Sequence, residues 1–133
     1  MPLDELFDAA TAARSRAYAP YSGFRVGAAV RAESGAVFAG CNVENAAYPV
    51  GTCAEQAALA AMVAAGERRL AEILVVGNGE ALVTPCGACR QRIRELALPG
   101  AAIHVAGPGG VRRTFGLDDL LPFSFGPDNL KPR

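Results

Sequence analysis

Pro85-Cys86-Gly87-Ala88-Cys89-Arg90-Gln91, read together with Thr52-Cys53-Ala54-Glu55 upstream of it, decides how this chain is interpreted. In both segments a cysteine stands at the start of a helix-forming run. Cys86, Cys89, Ile93 and Leu96 recur at i, i+3, i+7 and i+10, which predicts a helix starting near Pro85 with both thiols one turn apart on its buried face. Cys53 precedes the alanine-rich run Ala54 to Ala65, a second predicted helix. Two helix N-termini then converge on three thiols, and their partial positive ends are expected to lower the thiol pKa values and favour metal-bound thiolates.

The residue types specify a chemistry. Three protein ligands leave the fourth tetrahedral position of a zinc ion open to water, whereas a structural site usually closes with a fourth Cys or His. Water held there ionises near pH ~7 in favourable sites, against about 15.7 in bulk. Glu55, two residues beyond Cys53, is suited to carry a proton from that water to a ring nitrogen and then to leaving ammonia, a role that fits it better than ligation. A Cys-x-Glu with a downstream Pro-Cys-x-x-Cys resembles the signature of zinc-dependent deaminases. The competing interpretation is a structural zinc or ordinary buried cysteines. Cys41 could close the site as a fourth ligand, but it follows Gly40 in a strand-to-loop region and reads as a small buried hydrophobe. His104, in the apolar run Ile103 to Ala106, reads as a structural or surface histidine outside the site.

With 133 residues, 51% of them apolar and 20% charged, the chain is long and apolar enough for one compact domain over residues 1–133. The formal net charge is zero, which argues against a polyanion as main partner, so no nucleic acid is expected. Arg90, Arg92 and Arg94 read as a solvated helix face, and Arg112-Arg113 as a turn. No run approaches the ~18 apolar residues that a membrane span needs. Met1-Pro2-Leu3-Asp4-Glu5 has no basic region ahead of an apolar core, so no signal peptide is expected and a cytoplasmic location is. In that reducing compartment disulfides are not expected.

Element order follows from periodicity. Leu3, Leu6, Phe7 and Ala10 form a helical stripe with Asp4 and Glu5 in its first turn, predicting a helix to about Tyr18 that Pro20 ends. Val26, Ala28 and Val30 alternate with smaller residues, and Glu33-Ser34-Gly35 turns the chain into Ala36 to Ala39, a predicted hairpin. The Cys53 helix, a strand Ile73 to Val76, the Cys86 helix, a strand Ile103 to Ala106, a weak strand Val111 to Thr114 and a short helix Leu117 to Leu120 follow. The predicted fold class is α/β, a three-layer α/β/α arrangement around a mixed, roughly five-stranded sheet whose later strands are parallel. The run Ala54 to Ala65 is apolar on nearly every face, which suggests burial on more than one side, by a subunit interface or by the chain's own sheet and loops.

Four blocks carry a more specific resemblance: Tyr21-Ser22-Gly23-Phe24-Arg25-Val26-Gly27-Ala28-Ala29, Cys41-Asn42-Val43-Glu44-Asn45-Ala46-Ala47-Tyr48, Cys53-Ala54-Glu55 and Pro85 to Gln91. In order and spacing they resemble the small, homotetrameric, three-cysteine cytidine deaminases, a likeness that extends through Leu120-Leu121-Pro122 and Phe125. The resemblance implies one zinc per chain held by Cys53, Cys86 and Cys89, with Glu55 as proton shuttle. It implies Asn42 and Glu44 on the ribose hydroxyls, and Phe24 and a neighbouring subunit's Phe125 against the pyrimidine. The backbone N–H groups of Ala54 and Cys89, near the helix starts, are expected to contribute to holding the base and the bound water. A site built to hydrogen-bond a sugar hydroxyl rejects bases that lack it.

The chain departs from the family in two places. Many three-cysteine members have Arg after the catalytic Glu to offset the three thiolates; here Gln56 stands there, so that either Arg90 compensates or the bound water is less acidic. Pro49-Val50-Gly51-Thr52 also differs from the commoner loop. The expected function is deamination of cytidine and 2′-deoxycytidine in pyrimidine salvage. The alternatives are a deaminase of a modified or different nucleoside and a non-catalytic zinc-stabilised binding module.

Overall fold

The computed structural model describes residues 3–130. Its elements run α1 (Leu3–Arg14), β1 (Gly27–Ala32), β2 (Val37–Cys41), a 3-10 turn (Tyr48–Val50), α2 (Ala54–Ala64), β3 (Leu70–Val76), α3 (Gly87–Leu96), β4 (Ala97–Gly107), β5 (Gly110–Gly116), α4 (Leu117–Leu120) and a second 3-10 turn (Pro127–Leu130). The five strands form one mixed sheet in the order β2-β1-β3-β4-β5.

The predicted class holds, with one correction to the strand directions. Only β3 and β4 are parallel, joined by the α3 crossover. β5 returns antiparallel to β4, because Gly107 pairs with Gly110 across Pro108-Gly109. A two-residue connection can join only antiparallel strands, since a parallel pair needs a crossover. β1 is antiparallel to both of its neighbours.

Strand alternation sends side chains to two covered faces. On one, Leu6 and Ala10 of α1 pack on Ala29, Leu74, Val76 and Ala106. On the other, Ala58, Leu59 and Met62 of α2 and Ile93 of α3 pack on Ala28, Val30, Ile73, Val75 and Ile103. Leu6, Met62 and Ile93 are fully buried, each worth about 1.5–3 kcal/mol relative to exposure. Two glycines permit close approach. A Cβ on Gly27 would run into the Ala10 carbonyl and Arg14 of α1, and one on Gly40 would meet the α2 backbone at Ala57 and Ala58.

The first helix ends at Arg14, four residues before the predicted Tyr18, and Pro20 plays no part in stopping it. Ser15 Oγ donates to the Ala12 carbonyl at 2.6 Å, diverting the chain from helical pairing. Tyr18 is thereby freed to bridge Val43, which brings the loop after α1 beside the loop after β2. The α2 helix buries Ala54, Glu55, Ala58, Leu59 and Met62. Ala60, Ala61 and Ala64 stay exposed within the chain, so its own sheet and loops cover only one side of this helix.

A polar chain crosses the α1 side of the sheet. Arg31 donates from Nη1 to Glu5 at 2.8 Å and from Nε to Glu72 at 3.0 Å. His104 Nε2 meets the other Glu72 oxygen at 2.8 Å, and its Nδ1 lies 2.8 Å from Thr114 Oγ1. Burial acts to push the Glu72 carboxyl up, but hydrogen bonds from His104 and Arg31 hold it below its ordinary value. His104 is thus a buried structural residue, remote from the thiols in function.

Candidate active site

Each of the two cysteine-bearing segments enters its helix the same way. Cys53 is the N-cap of α2, at φ −75° and ψ 155°, and Cys86 is the N-cap of α3, at φ −66° and ψ 166°. Neither side chain caps its own helix, so both thiols are free to meet across the gap between the helices. Cys89 follows in the first turn of α3 and is fully buried. The expectation of two thiols on a buried helix face therefore needs adjustment: Cys86 precedes the helix and is exposed, and only Cys89 lies inside it.

The three sulfurs lie within 4.8 Å of one another, with Cys53 Sγ and Cys86 Sγ 3.8 Å apart. Zn–S bonds of about 2.3 Å at tetrahedral angles require sulfurs about 3.8 Å apart, whereas a disulfide would bring them to about 2.05 Å. The donor set therefore fits a zinc ion. Cys41 ends β2, half-buried and outside the cluster.

Helix N-termini do not make all three thiols acidic. Burial, then repulsion from Cys86, pushes the Cys53 thiol up. Burial, then the Glu55 carboxylate, pushes Cys89 far up. Cys86 alone ends below the ordinary thiol value: burial opposes ionisation, but a hydrogen bond from the Cys89 backbone and contacts with the Cys53 and Cys89 side chains outweigh it. A metal must accordingly displace protons from the cluster as it binds. Glu55 is buried beside it, and desolvation raises its carboxyl despite opposing effects of its own backbone N–H and of Arg92.

The arginines of α3 are not a solvated face. Arg90 donates to the Pro85 carbonyl at 2.7 Å, the Leu120 carbonyl at 2.9 Å and Thr84 Oγ1 at 2.9 Å, tying the segment before Cys86 to α4. Arg94 donates to Ser124. Arg92 folds back along the helix, and its Nη1 lies 3.6 Å from Cys89 Sγ. The guanidinium beside the thiols is therefore that of Arg92, while Arg90, one of the two alternatives for offsetting the thiolates, is bonded to oxygens instead. The i, i+3 spacing of Cys89 and Arg92 was the available signal. Arg112 and Arg113 lie in β5; Arg112 holds the carbonyls of Gly79, Glu80 and Ala81, and Arg113 stacks 4.7 Å from the Phe115 ring centroid.

A cavity of about 610 Å³ opens over the cluster, and Phe24, Asn42, Glu44, Ala54 and Glu55 all line it with Cys53 and Cys86. Asn42 Oδ1 accepts from Val26 N and its Nδ2 donates to the Phe24 carbonyl, both at 2.8 Å. Glu44 Oε1 accepts from the backbone N–H groups of Tyr21 and Ser22 at 2.9 and 3.1 Å, and Oε2 from the Ser22 hydroxyl. The Ser22 hydroxyl leads the effects that hold the Glu44 carboxyl below its ordinary value. These two side chains thus shape the Tyr21–Val26 wall while keeping spare hydrogen-bonding capacity, since an amide has two donors and each carboxylate oxygen two lone pairs. Tyr48, which the sequence reading assigned no role, reaches the same cavity and meets Tyr21 edge-on at 6.1 Å between ring centroids. Phe125 is the exception: it is exposed and lies outside this cavity, with its carbonyl accepting from Gln91 Nε2 at 2.8 Å.

Residues 2–104 match the family described as the cytidine and deoxycytidylate deaminase zinc-binding region. The chain belongs to this family. A cytidine deaminase of Sporosarcina psychrophila is 38% identical over 130 residues, covering 98% of this chain and 96% of that protein. One from Mycobacterium tuberculosis is 42% identical over 121 residues, covering 91% and 87%. Among solved structures, cytidine deaminase from Burkholderia pseudomallei superposes with a TM-score of 0.87 at 48% identity, covering 94% of this chain and 100% of that one.

Proposed function

We propose that this chain catalyses hydrolytic deamination of cytidine and 2′-deoxycytidine to uridine and 2′-deoxyuridine, releasing ammonia, as one domain over residues 1–133 with one zinc per chain. The observation that carries this is a cavity lined by Cys53, Cys86 and the buried Glu55, whose wall also presents Phe24, Asn42 and Glu44, with the buried Cys89 sulfur within 4.8 Å of the other two. Cys53, Cys86 and Cys89 would hold the zinc, which when bound acidifies water at neutral pH. Glu55 accepts and returns protons: burial favours its protonated form, bringing its acidity closer to that of the groups it serves. Asn42 and Glu44 take the ribose hydroxyls with the hydrogen-bonding capacity left after bracing the wall, and the ionised Glu44 is an acceptor for a sugar O–H. Phe24 packs on the pyrimidine face. Ala54 is the first residue of α2, so its N–H has no intrahelical acceptor and is available to the substrate or the water.

Phe125 lies outside its own cavity, and α2 leaves Ala60, Ala61 and Ala64 exposed. Both features support a homotetramer in which a neighbour's Phe125 completes each site. Pyrimidine salvage is the proposed role and the cytoplasm the proposed location; among the described residues no helix is long and apolar enough to cross a membrane.

The test is a spectrophotometric screen of cytidine, deoxycytidine, cytosine, adenosine, guanosine and modified cytidines, with elemental analysis for zinc. Loss of the cytidine band with one zinc per chain is expected. Turnover of a modified nucleoside in preference to cytidine would favour the second deaminase reading, which the changed loop lining the cavity at Gly51 and Thr52 motivates. Zinc without turnover of any nucleoside would leave only a binding module.

A further inference from the structure

Three thiolates on one divalent ion carry a net negative charge, and that charge opposes the acidity the reaction requires. A cation hydrogen-bonded to one of the sulfurs withdraws electron density from it and offsets the excess. The residue after Glu55 is neutral Gln56, and Arg90 is committed to three oxygens elsewhere. Arg92 remains: half-buried on α3, one turn beyond Cys89, with Nη1 3.6 Å from its sulfur.

We propose that Arg92 is the charge-balancing residue of the metal centre, acting through Cys89 from the α3 side, in place of a cation at position 56 on α2. The inference rests on the zinc-deaminase reading above and deepens it. The geometry carries it: Cys89 is the most deeply buried of the three cysteines, so water is least available to solvate its charge and a protein donor matters most there. The two positions stand on different helices, residue 56 three positions after the Cys53 N-cap of α2 and residue 92 three positions after Cys89 in α3, and neither is itself one of the three sulfur ligands.

Arg92 is thus a positioning residue, and its test needs a readout that simple packing would not move. The protein is loaded with Co²⁺ in place of zinc, and the thiolate-to-metal charge-transfer absorption is recorded for wild type, Arg92→Gln, Arg92→Lys and the double variant Arg92→Gln/Gln56→Arg. Removing the donor from a thiolate should shift that band to lower energy in Arg92→Gln, leave it near wild type in Arg92→Lys, and return it toward wild type in the double variant. With zinc bound, kcat in Arg92→Gln should fall about 10- to 100-fold, the usual effect of losing a group hydrogen-bonded to a metal ligand, with KM little changed because Phe24, Asn42 and Glu44 are untouched. The double variant should recover much of that loss. An unshifted band in Arg92→Gln, or a shifted band that Gln56→Arg fails to restore, overturns the proposal. The spectrum needs no turnover, so a wild-type protein that binds Co²⁺ through three thiolates yet deaminates nothing would sink the functional reading and still report on Arg92.

Discussion

The two faces of the sheet both carry charged groups, and they treat them in opposite ways. On the α1 face, Glu5, Arg31, Glu72, His104 and Thr114 satisfy one another in an unbroken chain. On the α2/α3 face, three sulfurs crowd together with a buried carboxyl, and two of the thiols resist ionisation. The first arrangement pairs its buried groups, Arg31 and His104, within the chain itself. The second is balanced only when a cation and a substrate enter. Burial of polar groups alone does not mark a working site; unspent bonding capacity facing a cavity does.

The sharpest way to break this contrast is to remove a sulfur. Cys89→Ala should abolish zinc binding by elemental analysis and lower cytidine turnover by at least about 10⁴-fold, a modest share of the 10⁶-fold or more that enzymes supply. Retained zinc with retained activity would show that the cluster is not the centre. Next comes Glu55→Gln, which keeps the shape of the side chain but cannot transfer a proton. It should keep zinc while turnover drops roughly 10²- to 10⁴-fold. Its thermal midpoint in the metal-free protein should be no lower than wild type, because a carboxyl that burial disfavours has been replaced by a neutral amide.

The α1 face should respond in the reverse sense. Glu72→Ala leaves the buried Arg31 and His104 without their shared acceptor and should cost about 3 kcal/mol in denaturant unfolding, with kcat for cytidine unchanged in the folded fraction. A large fall in kcat at full stability would erase the distinction between the faces. The smallest effect is a pH dependence. The folded-state pKa of Glu72 lies below its ordinary value of 4.5, so its contribution is complete above that value and is lost as the pH falls through the lower folded one. Comparing wild type with Glu72→Gln, the stability difference should therefore shrink as the pH falls below the ordinary value of 4.5. A difference that grew on acidification would assign the wrong sign to the pair.

Much of the α2/α3 face was legible in the sequence because it depends on local geometry. The Cys86–Cys89 spacing, the Cys53–Glu55 spacing and the helices behind them follow from residues a few positions apart, and the alternation in β1 and the turn at Ser34-Gly35 gave the hairpin. What escaped depends on contacts between distant segments. The direction of β5 hung on reading Gly107 to Gly110 as a tight turn. The end of α1 was set by Ser15 and by the pairing of Tyr18 with Val43, neither of which periodicity reports. Arg31 and Glu72 are 41 positions apart, and their balance with His104 has no signature along the chain. Arg90 and Arg92 look alike in the sequence; one is spent on the Leu120 carbonyl and the other reaches a sulfur. The resemblance led to Asn42 and Glu44, but only the folded chain exposes their second task of bracing the backbone around Phe24.

The placement of cysteines at the starts of two helices also bears on how the protein matures. Cys53 stands at the start of α2 within the connection from β2 to β3, and Cys86 at the start of α3 within the crossover from β3 to the parallel strand β4. The β1–β2 hairpin can form early from near neighbours, but the sulfurs meet only once β3 has inserted beside β1 and β4 has docked beyond it. Pairings over such long sequence separations form slowly, because loop closure must be completed before the contacts repay it. Binding of the metal by all three thiols therefore reports the completion of the topology, and an incompletely folded chain presents the Cys86–Cys89 pair apart from Cys53, without the three-sulfur cage that retains an ion.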